Sequence, residues 1–223
     1  VKKTHLLYGL SNNYTGYPLV KEARDMIAAG KLGKIRKVVV EYPQGWLATH
    51  LEASGQKQAD WRTDPKRSGA AGSIGDIGTH AENLAEYISG LQIKELAADI
   101  TTFVKGRKLD DDANMLIRFK GGAKGIIYAS QISVGEGNGF KIRVYGTKGA
   151  IEWEQESPND LILKYPNKPH QVLKAGWDYL SQTAKSNTRL PAGHPEGFIE
   201  AFANIYVEAA KVISDEITGK RLK

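Results

Sequence analysis

Two segments in the first ninety residues repeat their apolar positions with the period of a helix. The first covers residues 18–30, and the second covers residues 76–89 and is closed by Gly90. A proline that opens a helix and a glycine that closes it are typical boundary signals. Between the two helices, residues 34–42 (KIRKVVVEY) are β-branched and aromatic, which predicts a strand. A short strand is also predicted over residues 6–10 (LLYGL).

Beyond residue 90 the pattern changes to short apolar stretches separated by turns. Six of them predict strands, at residues 96–104, 113–120, 123–133, 140–146, 150–155 and 160–165. Gly121-Gly122 is a hairpin signal, Gly146 and Gly149 bracket another turn, and a long helix is predicted over residues 194–217. The whole chain is therefore predicted to be one α+β domain, with a large, mostly antiparallel open sheet and helices packed on one face.

A segment without any sustained period, residues 43–75, separates the first strand from the second helix. Long loops in compact domains are often functional. From Gly69 to Gly78, glycine occupies every third position. This spacing is not the G-x-G-x-x-G of a dinucleotide cradle, and the chain has no Gly-Lys-Ser or Gly-Lys-Thr of a phosphate loop. The glycines instead predict a stretch with little side-chain bulk that leaves room for a ligand.

The helix that follows the glycines predicts one wall of a site. On a wheel of about 100° per residue, five apolar residues form the buried stripe: Ile77, Ala81, Leu84, Ile88 and Leu91. Four polar residues share a flank about 90° from that stripe: Asp76, His80, Asn83 and Tyr87. Side chains at the edge of a core can face a cavity while their helix stays anchored.

Three other interpretations of the Asp76 and His80 pair stay open on this pattern. Asp76 can be the N-cap of the helix. The two residues lie one turn apart and can form only a local hydrogen bond. They can also share a cation, but no third or fourth ligand and no H-E-x-x-H motif accompanies them, so no metal site is predicted.

Composition excludes several classes of protein. The chain has no cysteine, which rules out disulfides and cysteine nucleophiles. Its net charge is +6, but basic and acidic residues are mixed without a block of like charges, so no nucleic-acid partner is predicted. No apolar run is long enough to cross a bilayer, so no membrane partner is predicted. The N-terminal stretch does not fit a signal peptide, and a cytoplasmic location is expected.

Several motifs together resemble the glucose–fructose oxidoreductase/inositol dehydrogenase family, known as Gfo/Idh/MocA. Residues 72–80 (GSIGDIGTH) resemble its G-G-x-x-x-D-x-G-x-H signature, and residues 30–38 (GKLGKIRKV) resemble its GxLGxIxxV segment. Residues 60–72, 144–153 (VYGTKGAIEW) and 193–206 (GHPEGFIEAFANIY) are also similar to family segments. The resemblance covers essentially the whole chain.

The resemblance implies that residues 1–223 are the C-terminal substrate-binding and oligomerisation domain of a dehydrogenase that uses NAD or NADP. Members carry an N-terminal Rossmann domain and a Glu-Lys-Pro motif with a catalytic lysine. Neither is found here, since Lys168-Pro169 lies far downstream and does not match. The full protein is expected to oxidise a secondary alcohol of a sugar, cyclitol or similar polyol, and this chain alone is expected to be inactive. The alternative is a natural gene product that lacks the cofactor-binding domain.

The family also implies roles for residues of the second helix. His80 matches the catalytic histidine, which accepts the hydroxyl proton. The ordinary histidine pKa of about 6.5 suits that transfer. Asp76 matches the signature aspartate, which orients the imidazole and stabilises its charged form. Asn83 stands where the family often has aspartate, so it can bind a substrate hydroxyl but adds no charge.

Four more residues are candidates for substrate binding, and each has a structural alternative. Trp46 and Tyr14 can stack on a sugar ring or belong to the core. Arg62 can bind hydroxyls or a carboxylate, or pair with a nearby aspartate. His194 can reach the pocket or cap the last helix.

Strands such as residues 34–42 and 140–146 alternate basic and apolar residues, which predicts a polar or half-polar sheet face. In the family this sheet makes oligomer contacts, so a homodimer or a larger assembly is expected, and a solvent-facing sheet is the alternative. A non-catalytic domain that serves sugar binding or oligomerisation is the alternative function.

Overall fold

The structure is a computed structural model that describes residues 8–218. These residues form eight strands: β1 Ile35–Pro43, β2 Ile93–Thr101, β3 Asp112–Phe119, β4 Lys124–Ser130, β5 Lys141–Gly146, β6 Ala150–Glu154, β7 Asp160–Lys164 and β8 Gln171–Lys174. All eight belong to one open sheet in the order β2-β3-β4-β1-β5-β6-β7-β8. Neighbours are antiparallel except β1 and β4, which are parallel.

The described residues also form six α-helices: α1 Pro18–Ala28, α2 Lys57–Arg62, α3 Pro65–Ser68, α4 Thr79–Ser89, α5 Gln182–Ser186 and α6 Phe198–Ile217. Single tighter turns lie at Asn13–Gly16 and Leu51–Ser54, and a wider turn at Ile74–Gly78 leads into α4. Gly90, at the end of α4, has a φ of +68°. This left-handed conformation suits glycine and ends the helix where the sequence predicted.

Helices α1 and α4 pack on one face of the sheet and bury it. Alternate residues of β1 point toward them, and Val38, Val40 and Tyr42 are at most 2% exposed. Leu84 and Ile88 of α4 are fully buried in the same core. Burying one such side chain contributes about 1.5–3 kcal/mol, so this core fixes where the polar flank of α4 lies. The predicted α+β architecture is confirmed.

The opposite face of the sheet is half-polar, as predicted. Lys141 on β5 pairs with Glu152 on β6 at 2.7 Å, and Lys164 on β7 reaches the same carboxylate at 2.5 Å. Leu116 on β3 points to the same face and is 66% exposed. The uncovered face therefore carries both ion pairs and exposed apolar surface.

Several local predictions differ from the structure. Residues 8–10 of the predicted first strand have no regular structure, and the rest of it lies outside the described residues. The segment predicted as a loop contains α2 and α3, which are too short to show a period. The short edge strand β8 was not predicted. The last helix begins at Phe198 instead of residue 194, because Pro195 and the extended backbone at Gly197 precede it.

Candidate active site

The N-terminal end of the α4 segment is capped from another part of the chain. The carboxylate of Asp110 accepts hydrogen bonds from the backbone N–H groups of Gly72 (2.6 Å) and Ile74 (2.8 Å). Asp76 lies inside the wide turn Ile74–Gly78, and no hydrogen bond places its side chain at a cap position. The interpretation of Asp76 as the N-cap is therefore wrong, because Asp110 satisfies the free donors that an N-cap would serve.

The glycine repeat serves backbone packing. A Cβ on Gly72 would overlap the carbonyl oxygen of Asp110. Gly69 has a φ of +95°, a conformation that other residues rarely adopt. None of the four glycines lines the cavity beside α4. The ligand space expected beside the glycines is thus absent at Gly72, where the β2–β3 connection fills it.

Asp76 and His80 line an open cavity of about 620 Å³. The same cavity is lined by three more of the predicted residues: Tyr14, Trp46 and Arg62. The structure therefore gathers five of the seven predicted site residues from four separate parts of the chain. The lining also includes polar residues that sequence reasoning missed: Ser11, Asn13, Tyr42, Gln44, Gln56, Gln58 and Asn138. They lack a local motif, so only the fold could reveal them.

The imidazole of His80 is half-buried at the wall of the cavity. Burial lowers its pKa, and the nearby Asp76 carboxylate opposes that shift in part. The ring edge of Tyr14 faces it, with 5.0 Å between ring centroids and an interplanar angle of 87°. Nδ1 is buried without a hydrogen-bond partner among the described residues. The ring is therefore neutral near pH 7 and can accept a proton.

Two side chains hold the carboxylate of Asp76. The amide Nε2 of Gln131 donates a hydrogen bond to Oδ2 at 2.8 Å, and Nε of Arg62 lies 3.2 Å from the same oxygen. No hydrogen bond joins Asp76 to His80 in the described residues. The influence of Asp76 on the imidazole is therefore electrostatic here. Arg62 pairs with Asp76 and not with the aspartates near it in sequence.

Aromatic rings hold the guanidinium of Arg62. It lies 4.3 Å from the ring centroid of Trp61 and 5.9 Å from that of Trp46. Such stacking suits a planar guanidinium. Trp46 also donates its indole N–H to Gln44 at 3.1 Å. The indole of Trp46 is therefore fixed at the cavity wall and does not belong to the core.

The wall that faces α4 carries a network of amides and hydroxyls centred on Asn138. Its Oδ1 accepts hydrogen bonds from the Tyr42 hydroxyl (2.9 Å) and from Gln44 Nε2 (2.8 Å), and its Nδ2 donates to Gln155 (2.8 Å). The Tyr14 and Tyr42 hydroxyls also share a hydrogen bond. Burial raises the pKa of the Tyr42 hydroxyl, which keeps it protonated as a donor.

A buried arginine anchors the loop that carries this wall. Arg107, in the β2–β3 connection, donates to the backbone carbonyls of Leu47 and Thr49, both at 2.9 Å. It also pairs with Glu52 at 2.9 Å and with Asp111 at 3.1 Å. The connection that caps the α4 segment through Asp110 thus also fixes the loop after β1.

Two predicted residues do not reach this cavity. Asn83 is half-buried on α4 and is not among the lining residues, because it lies almost a full turn beyond His80 and the helix has left the cavity there. His194 is exposed and lines a separate surface hollow with Trp177. It precedes α6 in a turn closed by the hydrogen bond from its N–H to Pro191.

Within residues 8–218, no helix is long and apolar enough to cross a membrane. Over the same part of the chain, no three histidine, aspartate or glutamate side chains come together in a way that could hold a metal ion.

The chain is similar to several known oxidoreductases. An uncharacterised oxidoreductase, YfiI, of Bacillus subtilis is 35% identical over 95% of this chain and 54% of its own length. Levoglucosan dehydrogenase of Pseudarthrobacter phenanthrenivorans is 26% identical over 74% of this chain and 46% of its own. The chain thus spans about half the length of these relatives.

Solved structures show the same similarity. An inositol dehydrogenase homolog of Azotobacter vinelandii in complex with NAD+ is 38% identical, with a TM-score of 0.91 over 95% of this chain and 55% of that one. Its complex with NADH and myo-inositol superposes with a TM-score of 0.87 at 36% identity over 95% of this chain and 54% of that one.

The model of the GFO/IDH/MocA C-terminal domain matches residues 20–152, more than half of the chain. The similarity to YfiI extends well beyond those residues. The chain therefore belongs to the Gfo/Idh/MocA family of oxidoreductases.

Proposed function

We propose that the chain is the substrate-binding half of an NAD- or NADP-dependent dehydrogenase that oxidises a secondary alcohol of an uncharged sugar, cyclitol or related polyol. The observation that carries this proposal is the half-buried His80 imidazole, which lines an open cavity of amides, hydroxyls and aromatic rings and whose pKa is lowered by burial. Relatives in complex with myo-inositol, or named for levoglucosan, support the substrate class.

His80 is the proposed general base. Oxidation of a secondary alcohol removes the hydroxyl proton and a hydride from the same carbon. Because Nδ1 of His80 is buried, Nε2 is the ring nitrogen proposed to accept the proton. The lowered pKa keeps the ring unprotonated at neutral pH, and the negative charge of Asp76 stabilises the imidazolium that forms.

The polar lining fits a substrate that carries many hydroxyl groups. Amide side chains can donate and accept hydrogen bonds at once, so Gln44, Gln56 and Asn13 suit hydroxyls that do the same. The ring of Trp46 offers an apolar face for the C–H groups of a sugar ring. Tyr14 lines the cavity but is only 6% exposed and belongs to the core, the structural alternative that the sequence left open for it. Arg62 directs its guanidinium to the same space and is a further candidate for hydroxyl binding.

The nicotinamide cofactor supplies the hydride acceptor when bound. The residues of this chain fit the nicotinamide ring of this cofactor but not its phosphates. Phe198 and Phe202 line the cavity, and Phe198 is 47% exposed, so both offer apolar surface to an aromatic ring. The sequence has no phosphate cradle. The chain spans about half the length of its relatives. An N-terminal Rossmann domain outside this sequence is the proposed site of the dinucleotide, and the chain alone is proposed to be inactive.

Assembly and location are further parts of the proposal. The uncovered sheet face, with Leu116 exposed beside the Arg118–Glu95 ion pair, is the proposed contact between copies in a homodimer or larger oligomer. The cytoplasmic location expected from the sequence stays a prediction.

The test is turnover of the full-length enzyme with a panel of polyols. His80→Ala is expected to lower kcat by about 10²–10⁴-fold while cofactor binding survives. His194→Ala is the matched control, because that histidine is exposed outside the cavity, and it is expected to behave like the wild type. Retained turnover in His80→Ala would show that the histidine is only structural.

A non-catalytic sugar-binding or oligomerisation domain is the second candidate, supported by the uncovered sheet face. The coding sequence upstream of Val1 distinguishes the two. A Rossmann fingerprint and a Glu-Lys-Pro motif there support the dehydrogenase, and their absence supports the second candidate.

A further inference from the structure

We propose that Gln131 is a positioning residue that fixes the carboxylate of Asp76 for the reaction. This inference rests on the proposed function and goes beyond it, because Gln131 is outside the cavity lining and outside every motif of the sequence. Its side-chain amide Nε2 donates a hydrogen bond to Oδ2 of Asp76 at 2.8 Å. Sequence reasoning placed Gln131 in a predicted strand and gave it no role.

The backbone around Gln131 makes it a rigid support. The residue is 2% exposed at the end of β4. Its N–H donates to the carbonyl of Asp111 at 2.9 Å, and its carbonyl accepts from Leu47 N–H at 3.1 Å. Asp111 and the Leu47 carbonyl are in turn held by the buried guanidinium of Arg107. The side chain of Gln131 therefore has little freedom to leave Asp76.

The two partners of Asp76 both lie at one oxygen, Gln131 through a hydrogen bond and Arg62 through an ion pair without hydrogen-bond geometry. Gln131 Nε2 and Arg62 Nε lie beside Oδ2, and no hydrogen bond to Oδ1 occurs among the described residues. The carboxylate is thereby held at one oxygen, and the other stays available to a substrate hydroxyl. A carboxylate held in this way loses less freedom on binding than a mobile one.

An amide suits this position because it donates at every pH. A carboxyl of the same shape donates only while protonated. Two carboxyl groups within hydrogen-bond distance cannot readily both ionise, so they share one proton. The titratable or charged groups that face Asp76 are Arg62 from α2, His80 from α4 and Tyr42 from β1. All three side chains remain in a variant at Gln131. While the carboxyl pair shares one proton, its charge equals that of Asp76 alone, so dividing the variant's kcat by the wild-type kcat removes the titration of His80. The second charge of the pair appears only as the shared proton leaves.

The experiment measures kcat of full-length Gln131→Glu and Gln131→Met against pH. The kcat of Gln131→Glu divided by the wild-type kcat is expected to be high at about pH 6. It is expected to fall by about tenfold or more toward about pH 9, as the shared proton leaves. Gln131→Met keeps the side-chain length without the donor. Its kcat is expected to fall by about 10- to 100-fold at all pH values.

Gln92→Glu is the matched control. Gln92 is exposed and bonds Lys120 beside β2, so its ratio to wild type is expected to stay flat with pH. The positioning role is overturned if the kcat ratio of Gln131→Glu is flat with pH, or if Gln131→Met turns over as fast as the wild type. In either case the activity of the wild-type enzyme on polyols still supports the proposed function. A crystal structure of Gln131→Met gives a readout without turnover. An Asp76 carboxylate that has not moved in that structure also overturns the role.

Discussion

Arg62 and Asp76 form an ion pair in the wall of the cavity, with 3.2 Å between Nε and Oδ2. Arg62 is the only arginine or lysine among the described lining residues. Its charge is compensated by a carboxylate, so the described lining residues offer no free cation to an anionic substrate. Two residues fourteen positions apart thereby set the charge that this chain brings to the site.

We predict that the full-length enzyme selects uncharged polyols over their phosphate esters. Asp76→Asn removes the compensating charge and leaves the guanidinium free for a phosphate. Isothermal titration with a polyol phosphate is expected to show affinity that rises by about tenfold in Asp76→Asn, the size of one charge-assisted hydrogen bond. Asp160→Asn, remote from the cavity and paired with Lys174, should leave the affinity unchanged. Tight phosphate-ester binding by the wild type would contradict the prediction.

The titration of His80 provides a second prediction. Burial lowers its pKa, so the acid limb of kcat/KM is expected below about pH 6.5, the ordinary histidine value. The charge of Asp76 opposes the shift, so Asp76→Asn is expected to lower the pKa of His80 further. NMR titration of the imidazole, assigned with His80→Ala, measures both values. An upward shift in Asp76→Asn would exclude the proposed electrostatic contact.

The same lowered pKa makes stability depend on pH. Folding favours the neutral imidazole, so protonation of His80 stabilises the unfolded state more than the folded state. The contribution of His80 to the free energy of unfolding is therefore fully present above the unfolded pKa of about 6.5 and is lost as the pH falls through the lower folded pKa. Unfolding of His80→Ala, compared with the wild type across that acid range, measures the difference.

A substitution at Arg107 tests whether this side chain anchors the loop after β1. Arg107→Met leaves the carboxylate of Asp111, whose side chain is 1% exposed, without its partner. The free energy of unfolding in denaturant is expected to fall by about 3–5 kcal/mol. Arg118→Met is the control, since its pair with Glu95 is 3.4 Å long and well exposed, and its cost is expected to be about 0–1 kcal/mol. Equal costs in the two variants would refute the anchoring role.

Two glycines of the repeat are expected to respond in opposite directions. In Gly72→Ala the new Cβ meets the Asp110 carbonyl, and such overpacking costs about 1–3 kcal/mol. In Gly78→Ala the new Cβ makes ordinary contacts of 3.5–3.7 Å with Ile74 and Ala129, so helix propensity stabilises the variant by up to about 1 kcal/mol. Thermal unfolding of both variants measures the sign. A stabilised Gly72→Ala would disprove the packing role of that glycine.

Much of the fold could be predicted because its elements are marked locally. The helix α1 has its proline and glycine boundaries, and the hairpin of β3 and β4 has Gly121-Gly122 at its turn. The strand β8 and the helices α2 and α3 have four to six residues each. Such lengths are shorter than the window in which a period shows.

Only part of the site could be predicted, because a helical wheel shows which residues share a flank but not how far the cavity extends along the helix. His80 and Asp76 share one helix flank, which a wheel shows directly. Asn83 was placed with them because a wheel gives angle and ignores distance along the axis, where the cavity has already ended.

The sequence alone determined the elements, the buried stripe of α4 and the pairing of an imidazole with a carboxylate on its flank, because these follow from spacing within one segment. Tertiary structure decided which groups bind that carboxylate. Arg62 and Gln131 reach Asp76 from separate elements of the chain, and contacts over such separations depend on how the sheet and its connections fold together.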